Sequence, residues 1–297
     1  LQEAKIGGEV LPRSEVSTIL EKITASSKKG SVLVAGEAGI GKSGTISQVL
    51  NVLQDRGIPF LAFRTDRLEP TIIPDAVGEQ LGLPASPTTV LANIAQNKDC
   101  VLVIDQLDAV SLVSGRNPQF FDCISQLIDQ AKAHPNIHLL LACRKFDLDN
   151  DNRFKHLTGQ DGIAETVNIS RLSTSIVKEV VTKLGLEASR LNKKQMDLLS
   201  LPLHLSLLAE VKEEITNNVL DFKTAKDLYD QFWDDKQKKI RERFGRSIQW
   251  IQVIDILCKY MSNKQILYVP ESYLDEVRED ASLMASEHVL IQENGRI

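Results

Sequence analysis

The sequence predicts an α/β protein: a three-layer parallel sheet between helices, followed by a small helical domain and a winged-helix-like module cut off at its wing. Three observations predict it. Apolar runs at Ser31–Ala35, Cys100–Ile104 and Ile137–Cys143 are continuous rather than alternating, as in strands buried on both faces of a parallel sheet. Segments of helical period alternate with such runs across residues 30–170, the pattern of right-handed βαβ units. After about residue 172 helical patterns take over.

The elements follow in order. Residues 1–12 read as an extended lead-in with turns at Gly7-Gly8 and Pro12. A helix is expected over Ser14–Thr24, with Val16, Ile19, Leu20 and Ile23 on one face and Ser14 able to cap it. Ser26-Ser27-Lys28-Lys29-Gly30 is a polar turn before the first strand. The next helix runs from the Lys42 region and stops near Gly57. Pro59–Arg64 is a second strand, with Thr65-Asp66-Arg67 at its C-terminal end. Helical pieces at Pro74–Leu81 and Thr88–Ala95 precede the Cys100 strand. The helix Phe120–Ala133 leads to the Ile137 strand, and Thr166–Ile169 is a short fifth strand. Ser173–Leu184, Asn192–Leu199 and Leu203–Glu213 are expected as short helices. Phe222–Arg243, Trp250–Met261 and Glu271–Ser282 form a further helical set, and Val289-Leu290-Ile291-Gln292 alternates like a strand. The predicted domains are therefore 1–171, 172–221 and 222–297.

Composition is that of an ordinary folded protein. At 297 residues the chain has room for about two domains. A net charge of −5 argues against a surface built wholly for nucleic acid. Cys100, Cys123, Cys143 and Cys258 show no C-x-x-C spacing, so neither a disulfide framework nor zinc is expected and a cytoplasmic setting is. No apolar run approaches the ~18 residues of a membrane span, so no membrane partner is expected. The chain begins at Leu1 and stops at Ile297 without an evident terminus, and is expected to be a piece of a longer protein.

The chemistry centres on Gly36-Glu37-Ala38-Gly39-Ile40-Gly41-Lys42-Ser43, a complete G-x-x-x-x-G-K-[ST] phosphate-binding loop between a strand and a helix. Glycines let successive backbone N–H groups face one concavity, and the helix N-terminus beginning near Gly44 adds partial positive charge. Lys42 would reach the β- and γ-phosphates, and the Ser43 hydroxyl would bind Mg²⁺. Asp105, at the end of an apolar strand, fits the acidic partner that holds Mg²⁺ through water. Asp108 is a candidate for orienting or deprotonating the attacking water, against a helix cap or solvated acid. Arg144, at the tip of the Ile137 strand, can meet a γ-phosphate, against a plain strand-ending cation. Pro202 fits the first position of a helix. The basic run Lys236–Arg243 reads as a solvated helix face in preference to a nucleic-acid surface. Asn97-Lys98-Asp99 lacks the spacing of a guanine-reading motif, and the five histidines show no metal spacing.

These motifs resemble those of the STAND class of P-loop signalling NTPases, the NACHT and NB-ARC group. Gly36–Ser43 is similar to its Walker A loop and Val101–Asp108 to its D-x-x-D Walker B form. Leu139–Arg144 is similar to the strand carrying its sensor arginine. The resemblance implies that Val10, Leu11, Pro12 and Arg13 lie over the adenine, that Pro202 packs the base, and that the sensor strand lies between the Walker A and B strands. Ser200 stands where the class has the glycine of G-x-P, and the winged-helix histidine of the class has no counterpart before Ile297. The implied function is an ATP/ADP switch with Mg²⁺ and slow hydrolysis, used in signalling such as immune or antiviral defence. It would self-associate on activation, with effector and sensor regions outside this chain. Two other readings are an AAA+-like ATPase with a winged helix on DNA, which would favour an acid where Gln106 stands, and a nucleotide-binding scaffold without turnover.

Overall fold

A computed structural model describes residues 5–24, 30–113, 118–157, 163–212, 222–264, 266, 268–292 and 295–297; the turn expected at Ser26–Lys29 lies outside them. The chain forms two compact units, Leu1–Leu172 and Ser173–Ile297.

The first unit opens with a two-stranded hairpin, β1 (Lys5–Ile6) and β2 (Glu9–Val10), and then α1 (Glu15–Thr24). β3 (Ser31–Gly36) and α2 (Lys42–Asp55) flank the phosphate loop. β4 (Phe60–Arg64), α3 (Pro74–Gln80) and α4 (Pro87–Ala95) follow, with Pro87 at the first turn of α4 and the Ser86 hydroxyl accepting the Thr89 N–H. β5 (Cys100–Asp105) leads into a 3₁₀ turn at Leu107–Val110. α5 (Pro118–Ala133), β6 (Ile137–Arg144), α6 (Lys145–Asn150), a 3₁₀ turn at Asn152–Leu157 and β7 (Glu165–Asn168) complete the unit.

β3 to β7 form one wholly parallel sheet in the order β4-β5-β6-β3-β7. This is an α/β P-loop NTPase-like fold. Every residue of β3 and β5 is buried, which explains their unbroken apolar runs. The chain crosses from β3 to the far edge at β4 and works back through β5 and β6. It then passes to β7 on the other flank of β3. The loop after β3 therefore emerges between β6 and the edge strand β7, at the C-terminal ends where such sheets bind ligands.

Asp151 fixes the turn after β5. Its carboxylate accepts the Leu112 N–H at 2.8 Å and the Arg153 guanidinium at 2.8 and 3.1 Å. Arg153 in turn donates to the Val110 carbonyl at 2.8 Å and lies 4.3 Å over the Phe121 ring. The Arg153 fork, aided by the backbone donors, holds the Asp151 carboxyl down to about 2.

The second unit is helical: α7 (Thr174–Lys183), α8 (Lys193–Leu199), α9 (Pro202–Val211), α10 (Ala225–Phe244), α11 (Trp250–Lys264) and α12 (Arg278–Ser286). Asn192 with Gln195, and Thr224 with Asp227, form capping boxes that start α8 and α10. Trp250, Val253, Leu257, Leu274, Val277 and Met284 pack one core with Ile240. Asp280 accepts the Gln249 N–H at 2.9 Å and pairs with Arg246 at 2.8 Å, which ties α12 to the start of α11.

Three expectations in this unit are corrected. Val289–Gln292 is not a strand: the Val289 and Leu290 N–H groups donate to Met284 O, and His288 turns the chain with φ of 59°. N–H groups engaged in a helix-ending turn are lost to a ladder. An antiparallel pairing is made instead by Val269–Glu271 with Gly295–Ile297. The segment expected as a helix from Glu271 winds as 3₁₀ to Val277 before α12 begins. The basic run is not simply a solvated face: Lys236 is 5% exposed and reaches Glu210 at 3.2 Å, Lys239 pairs with buried Asp235 at 2.9 Å, and Arg243 pairs with Glu287 at 3.0 Å. Lys236 lies over the Phe232 ring and Arg243 over the Phe244 ring while the charges find carboxylates.

Removing the Asp151 charge should cost the first unit about 2–4 kcal/mol at neutral pH, because the ion pair between buried Asp151 and Arg153 is lost. A carboxyl depressed in the folded state stabilises above its unfolded pKa, and that contribution is lost as pH falls toward 2. Denaturant melts of Asp151→Asn should therefore show lower stability at pH 7 and a smaller drop between about pH 4 and 2.

Candidate nucleotide site

The site begins with glycine geometry. A Cβ on Gly36 would stand 2.8 Å from Ile40 Cγ2, so only glycine lets the loop fold back over the end of β3. Gly39 and Gly41 hold φ of 74° and 93°, the left-handed region that glycine enters without strain. Gly41 is the N-cap of α2, so the helix N-terminus opens directly onto the loop. Glu37 and Ala38 are exposed, Ile40 is buried beneath the loop, and Gly44 lies in the first turn of α2.

Lys42 is buried, its Nζ donating to the Gly36 carbonyl at 3.2 Å and the Glu37 carbonyl at 3.0 Å. The ammonium thus lies across the mouth of its own loop. Burial lowers its pKa, while the carboxylates of Asp108 and Asp105 work in the opposite direction.

Ser43 and Asp105 meet directly, Ser43 Oγ donating to Asp105 Oδ2 at 2.7 Å. The other carboxylate oxygen accepts the Gln106 N–H at 2.8 Å. Gln106 has φ of 60°, which turns the chain sharply after the strand. Thr65, the first residue beyond β4, donates its hydroxyl to the Asp105 and Gln106 carbonyls. Asp105 is fully buried, and burial raises its pKa despite the Ser43 and Gln106 donors.

Asp108 lies in the 3₁₀ turn after β5 with no exposed surface, and Arg144 Nε approaches its Oδ2 at 2.9 Å. Sheet order explains the meeting. β6 lies between β3 and β5, Arg144 stands in register with Gly36, and its side chain crosses to the turn after β5. Arg144 keeps 39% of its side chain exposed, whereas Lys145 beside it is exposed on α6. Asp108 is thus neither a solvated acid nor a cap; it is the counter-ion of Arg144.

The lead-in meets the loop from another direction. Val10 is half-buried in β2, Leu11 is buried and Pro12 is exposed. Gln48 of α2 donates to the Leu11 carbonyl at 2.9 Å and accepts the Arg13 N–H at 3.3 Å. Arg13 Nη2 donates to the Ile40 carbonyl at 2.6 Å. Pro202 belongs to the second unit, buried at the head of α9.

Sequence reasoning missed Thr65, the Arg13 contact with the loop, and the Asp151–Arg153 pair behind the Asp108 turn. The polar stretch Thr65-Asp66-Arg67 at a strand end was a usable signal for the first. The other two join residues far apart in sequence and gave none.

The residues fit a nucleotide phosphate and Mg²⁺. Left-handed glycines, a helix N-terminus and a buried lysine supply anion donors. Ser43 and Asp105 supply the hard oxygen ligands Mg²⁺ prefers, and the rest of its shell is water and phosphate in such sites. Among the described residues no group of three or more His, Cys, Asp or Glu converges on one point, so a cage built wholly from protein is not in evidence there.

No family model and no curated protein matches the chain. Among solved structures it is similar to AMPPCP-bound DnaA from Aquifex aeolicus, at 16% identity over 79% of this chain and 70% of that one, TM-score 0.44. It is similar to the Aeropyrum pernix ORC1 protein in complex with DNA, at 11% identity over 97% and 81%, TM-score 0.48. It is similar to the FIGL-1 AAA domain with ADP, at 16% identity over 77% and 84%, TM-score 0.46. At identities and scores this low, the fold assignment rests on the chain's own strand order and phosphate loop. No described helix is long and apolar enough to cross a membrane.

Asp105 gives a test with opposite signs. An aspartate whose pKa is raised by burial binds its proton more tightly when folded, so its ionised form opposes folding as pH rises. Asp105→Asn should melt higher than the parent at pH 7 without nucleotide, by about 2–4 °C per kcal/mol relieved. The same variant should lose the Mg²⁺ dependence of nucleotide binding, which calorimetry with and without the ion would show.

Proposed function

We propose that this chain is an ATP-binding P-loop ATPase that uses Mg²⁺ and works as a nucleotide switch. The contact between Ser43 and Asp105 at 2.7 Å carries the reading. It places a hydroxyl from the first turn of α2 and a carboxylate from the end of β5 at the mouth of a glycine loop, beside a buried lysine. Lys42 and the loop N–H groups bind phosphate, and Ser43 and Asp105 hold Mg²⁺. The ion, when bound, would neutralise phosphate charge. Asp108 orients water once its carboxylate is free of Arg144. Arg144 is the group that distinguishes a γ-phosphate from its absence, because it can exchange one anion for another. A STAND-type signalling switch, with effector and sensor regions elsewhere, is the finer form we favour, on the D-x-x-D spacing and Gln106 after the metal aspartate.

An AAA+-like ATPase acting on DNA is the second reading, drawn from the helices and short antiparallel pairing of the second unit. The pairing of Lys236, Lys239 and Arg243 with carboxylates leaves the basic run poorly suited to phosphates of a nucleic acid. Affinity for duplex DNA falling steeply with salt, roughly one decade per decade of salt for each phosphate contacted, would decide for the second reading.

Lys42→Ala should weaken ATP binding at least about tenfold through the loss of a charge-assisted contact. Unchanged affinity by calorimetry would remove the P-loop reading. Asp108→Asn should leave ATP affinity near the parent's and slow turnover by about a hundredfold. Hydrolysis at the parent rate would reduce Asp108 to a counter-ion for Arg144, and a parent without turnover would make the chain a nucleotide-binding scaffold.

A further inference from the structure

Arg13 joins two places that the nucleotide reading leaves unconnected. Its Nη2 donates to the carbonyl of Ile40, inside the phosphate loop, at 2.6 Å. Its Nη1 donates at 2.8 Å to the carbonyl of Ser170, just after β7. The N–H of that same Ser170 donates to Glu15 Oε1 at 2.8 Å, so both backbone groups of one residue are held by side chains from a single turn. Two neighbouring contacts follow the same line: Ile169 N–H donates to the Ala35 carbonyl at 2.8 Å, and Arg171 reaches the loop residue Glu37 at 3.0 Å. Ser170 and Arg171 lie immediately before Leu172, the last residue of the first unit.

Peptide geometry gives the Ile40 contact a consequence. A trans peptide points its C=O and the following N–H in opposite directions. Holding the Ile40 carbonyl toward Arg13 therefore aims the Gly41 N–H away from it. Gly41 is the N-cap of α2, where an anion would take that N–H. A planar guanidinium can hold two carbonyls at once in fixed geometry; a lysine ammonium is a point charge on a flexible stem.

We propose that Arg13 is a positioning residue that sets the Ile40–Gly41 peptide for phosphate and couples its occupation to Ser170, where the chain leaves the first unit. The proposal rests on the nucleotide reading above but assigns Arg13 to the loop carbonyl and the exit segment, apart from the adenine. An anion that fixes the Gly41 N–H fixes the Ile40 carbonyl with it, and through the shared guanidinium the Ser170 carbonyl.

Amide hydrogen exchange on the full chain, with and without Mg·ADP at saturation set by calorimetry, tests it. In the parent, ADP should slow exchange of the Ser170 and Arg171 amides by about tenfold or more. Arg13→Ala should bind ADP up to about tenfold more weakly and lose that slowing at matched saturation. Arg13→Lys, which keeps the charge and carries the test if the alanine variant fails to fold, should bind within about threefold of the parent and also lose the slowing. Parent-like slowing in Arg13→Lys or in a folded Arg13→Ala overturns the proposal. So does a parent that binds ADP with no change at these amides, and this leaves the nucleotide reading intact. A parent that binds no nucleotide overturns both.

Discussion

Parallel pairing of β3, β6 and β5 is the constraint on which the site depends. Each strand ends at the same edge, and each ends on a residue with chemistry: Gly36, Arg144 and Asp105. Register places Gly36 beside Arg144, and the sharp left-handed turn at Gln106 drops Asp108 back toward it. A one-residue slip in any of these pairings would turn alternate side chains to the other face and separate the groups. The buried apolar runs that specify the register are therefore also what aligns the charges.

Four charged groups meet at this edge, Lys42, Asp105, Asp108 and Arg144, and three of them are buried. Buried charges are tolerable when paired and hydrogen-bonded, and costly when one partner is taken away. Here two positive and two negative side chains balance, but unequally. Lys42 spends its donors on loop carbonyls, Asp105 has Ser43 and a backbone N–H, and Asp108 has Arg144. Any anion entering the loop shifts that balance, since it competes for the two cations while leaving the two carboxylates. In the proposed function a divalent cation would be the compensation, and the Ser43–Asp105 pair would supply ligands for it.

Much of this was legible in the sequence because it is local. The phosphate loop, the apolar strands and the aspartate ending β5 each lie within one short run, and their periods and spacings survive without tertiary information. The sheet order came from resemblance, since alternating strands and helices do not by themselves say which strand is central. What escaped was carried by contacts across the chain. Arg13 with Ile40 and Ser170, and Thr65 with the Asp105 carbonyl, obey no spacing rule. Val289–Gln292 misled for the opposite reason: a short apolar run invited a strand, but the turn at His288 and the Met284 carbonyl, which takes the Val289 and Leu290 N–H groups, end the helix there instead. Lys236 misled likewise, its charge counted as solvent-facing until Glu210 and the Phe232 ring accounted for it.

The site's contacts divide by what they can distinguish. In the proposed function the loop N–H groups and the Ser43–Asp105 pair would act chiefly on phosphates common to ADP and ATP, so they would set affinity more than discrimination. A ligand shifts a conformational balance only by the difference in its contacts between the two states. In the proposed function Arg144 would make that difference; it is partly exposed, next to the loop in register, and paired with Asp108. The cost of moving it would be the loss of the Arg144 ion pair at the buried Asp108 carboxylate. The two events therefore oppose each other energetically, and the turn that holds Asp108 must stay rigid for the exchange to register. Asp151 and Arg153 provide that rigidity from behind, through Leu112 and Val110 on either side of the turn's end.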